Sequence, residues 1–286
     1  ATLFEMALAN ISLPKDQLYD PFTSFNKMDW FALSQLAPNF PFQEFIIALQ
    51  FDLSVSVNID APLYLRRLND LITQVDPQSV YSYLRWRALH WMAPKLPQPF
   101  IQENFNFFSK VLRGTTSSSP PSRNNTCVWS AVDVLPELAG RLFAEEAFPE
   151  SSKKEVTILF DTLTKAFQMN AQNLTWMDPI TKSRALDKIS KIITLIGYPD
   201  NPKNYTNYQI GAHYAQNWLM AGQASFKETM ATAGGASDRR QWEMAPSEVN
   251  AYYSPWRNLM AFPAGILQSP YFDPTFPPAM NYGAIG

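Results

Sequence analysis

The run SSKKEVTILFDTLTKAFQMN (Ser151–Asn170), with DPITKSRALDKISKIITLIGYP (Asp178–Pro199) close behind it, decides the fold class. In the first, Val156, Leu159, Phe160, Leu163, Ala166 and Phe167 recur at steps of three and four residues, which gathers them on one face of an α-helix. In the second, Asp178 is an N-cap and Pro179 suits a first helical turn, where its missing donor costs nothing. The spacing predicts a helix with the apolar face Ala185, Ile189, Ile192, Ile193 and Ile196, stopped by Gly197 and Pro199. Upstream, Leu135–Phe148 reads as a helix ending at Pro149. Leu63, Leu65, Leu68, Leu71 and Ile72 form another after Ala61-Pro62. Ser79–Met92 is an aromatic, arginine-rich helix, and Asn104–Leu112 a further one ending at Gly114. Ser117–Asn125, with its Ser-Pro-Pro centre, reads as a loop. The fold class is mainly α.

The character changes after about residue 225. Ala233–Ser237 is a flexible break, and Val249–Tyr253 and Asn258–Phe262 read as two short strands joined through Ser254-Pro255-Trp256-Arg257. The proline- and aromatic-rich tail from Pro263 is irregular but packed. Two parts follow: a helical one over 1–225 and a small mixed one over 226–286.

Composition narrows the function classes. Hydrophobic residues are 46% and charged residues 17%, which describes a chain with a large core rather than a disordered one. A net charge of −2 with no block of like charges argues against nucleic-acid binding. The sequence has no run of 18 apolar residues, the length that would span a membrane. The start at Ala1 shows no signal peptide, so either one was removed or the chain begins partway into a longer protein. Cys127 is the single cysteine, which excludes an internal disulfide and a cysteine-rich zinc module. The sequons at Asn10, Asn124, Asn173 and Asn204 exceed the roughly two expected by chance, and tilt the reading towards an extracellular chain.

Most candidate sites dissolve on inspection. Glu145 and Glu146 point about 100° apart on a helix and cannot share a substrate atom. His90 and His213, each among aromatic residues, read as core histidines, and neither has the spacing that sets two imidazoles on one helical face. Lys182, Arg184, Lys188 and Lys191 form a solvated helix face. Nucleotide-binding and hydrolase-elbow glycine motifs are missing.

The stretch Trp242-Glu243-Met244-Ala245-Pro246-Ser247-Glu248, followed by Val249-Asn250-Ala251-Tyr252-Tyr253, Phe262-Pro263-Ala264-Gly265-Ile266-Leu267-Gln268 and Asn281-Tyr282-Gly283-Ala284-Ile285-Gly286, carries more information. Together with Gly140-Arg141-Leu142-Phe143, Leu174-Thr175-Trp176-Met177-Asp178 and Ile196-Gly197-Tyr198-Pro199-Asp200, it closely resembles the neprilysin and endothelin-converting-enzyme family of zinc metalloendopeptidases. Phe25–Met28, Ala61–Leu65 and Gly114–Thr116 fit the same series in the same order.

The resemblance implies a two-lobed peptidase. Residues 1–225 would be the helical lobe that caps a substrate chamber, and 226–286 an edge-strand and pocket segment of the catalytic lobe. It implies that a substrate peptide lies antiparallel to the Asn-Ala-aromatic-Tyr strand, held by the Asn250 side chain and the Ala251 main chain. Strand addition of this kind holds any sequence through its main chain, while pockets select side chains. Ile266 and Tyr271 fall where the family lines its hydrophobic pocket. Tyr252 and Tyr253 face opposite sides of the strand, and Tyr252 is the one expected at the cleft.

The resemblance also implies what lies elsewhere. The zinc-binding helix of the family follows the Asn-Tyr-Gly-x-Ile-Gly segment, so the zinc ligands, the general base and an intermediate-stabilising histidine are expected outside this chain, as is an N-terminal portion. Those missing portions are its expected partners, along with the peptide substrate. Cys127 matches a family cysteine paired with that N-terminal portion; a buried free thiol is the alternative. The chain alone is expected to be inactive, because two or three edge hydrogen bonds at about 0.5–1.5 kcal/mol each do not offset the 4 kcal/mol or more, roughly, that association costs. Two readings remain: one piece of a working extracellular peptidase, secreted or the ectodomain of a single-pass membrane protein, or a non-catalytic scaffold derived from one.

Overall fold

The computed structural model describes residues 1–18, 20, 22–49, 51, 52 and 54–285. Gly286, the last residue of the Asn281–Gly286 stretch, lies outside the described residues. The chain opens with α1 (Thr2–Ile11), α2 (Lys15–Leu18), β1 (Lys27–Met28), α3 (Trp30–Leu36), α4 (Phe42–Ala48) and β2 (Val57–Asn58). The helices α5 (Pro62–Gln74), α6 (Pro77–Met92) and α7 (Gln98–Asn104) follow, the last running into a π-wound segment over Phe105–Leu112. Then come α8 (Arg123–Val134), α9 (Pro136–Ala147), α10 (Glu150–Asn173), α11 (Pro179–Ser190) and β3 (Ile193–Gly197). The order closes with α12 (Tyr214–Thr232), β4 (Tyr252–Ser254), β5 (Leu259–Pro263) and α13 (Pro278–Ile285).

The chain forms two compact units from interleaved segments: Ala1–Pro120 with Gln209–Ala236, and Pro121–Tyr208 with Ser237–Gly286. The change in local character near residue 225 falls inside α12 and does not coincide with a boundary between these units.

In the first unit, α1 packs on α5 and α6, with Phe4 edge-on to Tyr83 at 5.3 Å between ring centres. A ladder of rings continues through Trp86 and His90 to Phe108, where the imidazole stacks at 4.9 Å. His90 is thus a half-buried packing residue, as expected. His213 differs: it is exposed at the N-cap of α12 and makes no side-chain cap. The loop expected over Ser117–Asn125 ends early, because Ser122 Oγ accepts from the Asn125 N–H and starts α8 at Arg123.

The second unit holds a three-stranded sheet of order β3-β5-β4, with β3 and β5 parallel and β4 and β5 antiparallel. Here the expected long helix after Asp178 is corrected. Asp178 caps α11 as predicted, through the Ile180 and Thr181 N–H groups at 2.9 Å, but α11 stops at Ser190 and Ile193–Gly197 is strand β3. The β-branched run Ile192-Ile193-Thr194 fits a pleated, two-sided surface better than a helix. Gly197, at φ +79° with the Phe148 ring 2.7 Å from where a Cβ would sit, ends the strand rather than a helix. Ile196 and Phe262 join Ala144, Phe148, Val156, Leu159 and Phe160 in the main core on one sheet face. Leu195, Leu259 and Ala261 form a second cluster on the other face, against Trp242 and Tyr252.

Candidate functional site

The sheet order makes β4 an edge strand, and Asn250 and Ala251 immediately precede it. Its register against β5 is Tyr252 to Ala261, Tyr253 to Met260 and Ser254 to Leu259. Asn258, at φ 49°, lets the connecting turn close. Its Nδ2 donates to the Lys188 carbonyl at 2.8 Å, and its Oδ1 accepts from the Tyr253 hydroxyl at 3.1 Å.

The approach to the strand is set by a local turn. The Glu248 N–H donates to the Ala245 carbonyl, and Glu248 Oε1 accepts from the Ala245 N–H at 2.9 Å. This reciprocal pair has the logic of a helix capping box. The turn is wedged between two glycines. A Cβ on Gly140 of α9 would lie 2.8 and 2.9 Å from Cγ and Cβ of Pro246, and one on Gly265 would lie 2.5 Å from the carbonyl oxygens of Ser247 and Glu248. The Gly265 N–H donates to the Pro246 carbonyl at 2.9 Å. The segment leading to Asn250 is therefore braced against the turn that carries Ile266.

Asn250 is exposed, and its Oδ1 accepts from the Ala251 N–H at 2.8 Å. Ile266 is half-buried against the main core, and Tyr271 is exposed beyond the cis Ser269–Pro270 bond. Tyr252 and Ile266 are not brought together: Tyr252 packs on the cluster of the opposite sheet face. The Tyr252 hydroxyl accepts from the Glu243 N–H at 2.9 Å. Burial holds its phenol above the ordinary value of 10.0, with the Glu243 carboxylate adding to the effect. Glu243 is paired in turn with Arg257 at 3.0 Å. Tyr253, on the other side of the strand, is 45% exposed.

The expected peripheral residues are all at the surface. Asn10, Asn124, Asn173 and Asn204 are exposed. Cys127 is exposed on α8, which sets aside the buried-thiol alternative. Glu145 pairs with Arg141 at 2.9 Å on the surface of α9. The residues present do not fit a zinc ion: among the described residues no group of three or more His, Cys, Asp or Glu could hold a metal. What this arrangement can offer chemically is an exposed main-chain edge and apolar side chains.

The bracing glycines, Glu243 and Arg257 carry structural weight that residue spacing did not reveal. One signal was available for Gly140: a glycine inside a helix costs about 1 kcal/mol relative to alanine and calls for a packing reason.

Comparison with known proteins identifies the family and the fold. Models of peptidase family M13 match residues 1–199 and 250–286. Rat endothelin-converting enzyme 1 is 32% identical over 297 residues, covering 99% of this chain and 38% of that protein. Drosophila melanogaster neprilysin-3 is 31% identical over 303 residues, with the same coverage. The chain thus spans well under half the length of the relatives it matches. The Mycobacterium tuberculosis zinc metalloprotease ZMP1, solved with an inhibitor, superposes with a TM-score of 0.89 at 27% identity over 99% of this chain and 43% of its own. The PepO structure from Lactobacillus rhamnosis shares the fold at a TM-score of 0.88 and 24% identity. With a model of that family covering 199 residues from the first onward, the chain belongs to peptidase family M13.

Proposed function

We propose that the whole protein is a zinc-dependent endopeptidase acting on oligopeptides, and that this chain supplies the strand on which the substrate lies together with part of its pocket. The observation that carries the proposal is the exposed edge strand β4, entered through Asn250-Ala251, on a segment braced by Gly265 against the turn bearing Ile266. In this reading Asn250 and Ala251 hold the peptide main chain, Ile266 and Tyr271 border the side-chain pocket, and Tyr252 borders the path from the anchored side of the strand. Residues 226–286 belong to the catalytic lobe, and the helices before residue 225 include the lobe that caps the chamber. Zinc, when bound in the whole enzyme, supplies the activation of water, with ligands drawn from outside this chain. Cys127 would pair with a cysteine outside these residues, the four sequons would carry sugar, and the protein would work outside the cell.

The test uses the longest natural polypeptide containing this chain, with a quenched fluorescent oligopeptide as substrate. Hydrolysis abolished by a chelator and restored by zinc is the expected result. Asn250→Ala should raise KM about tenfold with a smaller change in kcat, because it removes binding common to the ground and transition states. Hydrolysis indifferent to the chelator, or hydrolysis by the 286-residue chain alone, overturns the proposal.

A further inference from the structure

The sheet has a second edge. In the β3–β5 pairing, the Ile193 N–H donates to the Asn258 carbonyl and the Gly197 carbonyl accepts from the Ala264 N–H. In a parallel pair with this register, Ile193, Leu195 and Gly197 direct their main-chain groups at β5, and Thr194 and Ile196 direct theirs away from it. The Ile196 carbonyl is taken by the Tyr198 N–H at 3.0 Å. That leaves the Thr194 N–H, the Thr194 carbonyl and the Ile196 N–H facing outward.

They face a groove of about 670 Å³ within the second unit, lined along β3 by Ile192, Thr194, Leu195 and Ile196. Thr157, Phe160 and Asp161 of α10 form one wall, and Asp238, Gln241 and Trp242 the other. The lining is neutral at one end, where Lys153 and Lys203 stand with Glu137 and Asp200, and net acidic at the other, where Asp161 and Asp238 stand with Arg240. At the end of β3, Lys153 is held by Asp200 at 2.9 Å and Lys203 donates to the Tyr208 hydroxyl. Two turns further along α10, about 12 Å at 1.5 Å per residue, Asp161 reaches the start of β3. Asp238 lines the same groove toward that end, where the neighbouring Arg239 is tied to the Lys191 carbonyl at 2.9 Å. Asp161 and Asp238 make no ion pair among the described residues, and Arg240 on the same rim is the cation beside them.

We propose that the outer edge of β3 is a strand-addition site for an extended peptide carrying a basic side chain at the end that meets Asp161 and Asp238. Main-chain bonds alone are too weak to hold a peptide at a bare edge. The β3 edge differs from a bare one in that both groove walls come from the same unit and each offers an apolar and an acidic side chain, Phe160 with Asp161 on one and Trp242 with Asp238 on the other. Pockets of this size take alternate side chains of an added strand while the main chain pairs with the edge.

The probe is the acetylated, amidated hexapeptide lysine-valine-threonine-valine-threonine-valine, added to the 286-residue chain, with amide hydrogen exchange read residue by residue. The expected result is exchange at Thr194 and Ile196 slowed about tenfold or more, with no change at Tyr252 or Tyr253. Replacing the lysine of the peptide by glutamate should remove most of the protection. Asp161→Asn, a surface change, should weaken the effect of the lysine peptide, and Thr194→Pro, which deletes an outward donor on an edge strand, should abolish it. Four outcomes overturn the proposal: unchanged exchange at Thr194 and Ile196, protection confined to residues 250–254, equal protection by the lysine and glutamate peptides, or protection that tracks self-association of the chain in sedimentation. So does full protection of these amides without peptide in a longer polypeptide, since the edge would then belong to the protein's own continuation.

Discussion

At the scale of single residues, glycines decide whether the approach to β4 can be built. Gly140→Ala and Gly265→Ala drive a methyl group into Pro246 and into two main-chain carbonyls. Each should destabilise the chain by about 1–3 kcal/mol in urea denaturation, the cost of overpacking a site that cannot move. Gly222→Ala in α12 is the contrast, because a Cβ there meets nothing within 4 Å; it should stabilise by about 0.5–1 kcal/mol. If Gly140→Ala and Gly222→Ala behave alike, helix propensity and not close packing governs the two helical sites. Tyr252 and Tyr253 give a second contrast. Tyr252→Phe removes the acceptor for the Glu243 N–H and should cost about 1 kcal/mol, whereas Tyr253→Phe, exposed and hydrogen-bonded to Asn258 through its hydroxyl, should cost less in the same measurement. Of these residues Gly140 and Gly265 were legible as part of a family pattern, but the partner each one touches was not, since Pro246 is more than a hundred positions from Gly140.

At the scale of elements, the start of α11 shows local chemistry acting alone. Asp178 lies below its ordinary value of 3.8, chiefly through the Thr181 hydroxyl and N–H. A carboxylate whose folded value is depressed contributes stability that is present above its unfolded value and lost as pH falls through the folded one. Acidification below about 3.8 should therefore fray α11 from its N-terminus, and Asp178→Asn, which keeps a capping oxygen without the titration, should flatten that part of the pH dependence in helix content. The end of the same helix shows the opposite. The apolar positions of Ile192, Ile193 and Ile196 continue its period, yet the chain leaves for β3, because pairing with Leu259–Pro263 satisfies the main-chain groups of alternate residues and lets side chains pack on both sheet faces. The turn between β4 and β5 is held by side chains from elsewhere. Arg239 donates to the Arg257 and Lys191 carbonyls, both at 2.9 Å, and Arg257 donates to the Gln241 carbonyl at 3.0 Å. Arg239→Ala should leave α10 and α11 intact and speed proteolytic cleavage within residues 237–243; unchanged cleavage would mean the clamp contributes nothing.

At the scale of the whole molecule, the chain holds two compact units and crosses between them three times. No helix among the described residues is long and apolar enough to cross a membrane. Since no described group of side chains could hold a metal, a chelator should leave the thermal midpoint of the 286-residue chain unchanged, and a shift would reveal a metal site formed within it. Large apolar side chains such as Trp129, Trp176 and Trp256 stand more than half exposed.

By itself, the sequence determined the helical class, the starts of α5, α9, α10 and α11, the order of motifs and through them the family. These rest on periodicity, caps and prolines, which act over a few residues, or on a co-linear pattern that needs no folding to be seen. Only the tertiary structure decided that Ile193–Gly197 is a strand, that β5 lies between β3 and β4, and that Tyr252 and Ile266 sit on opposite faces. Main-chain pairing and the packing of glycines on distant backbone depend on which segments meet, and β3 meets β5 across more than sixty residues of chain whose local preferences say nothing about that encounter.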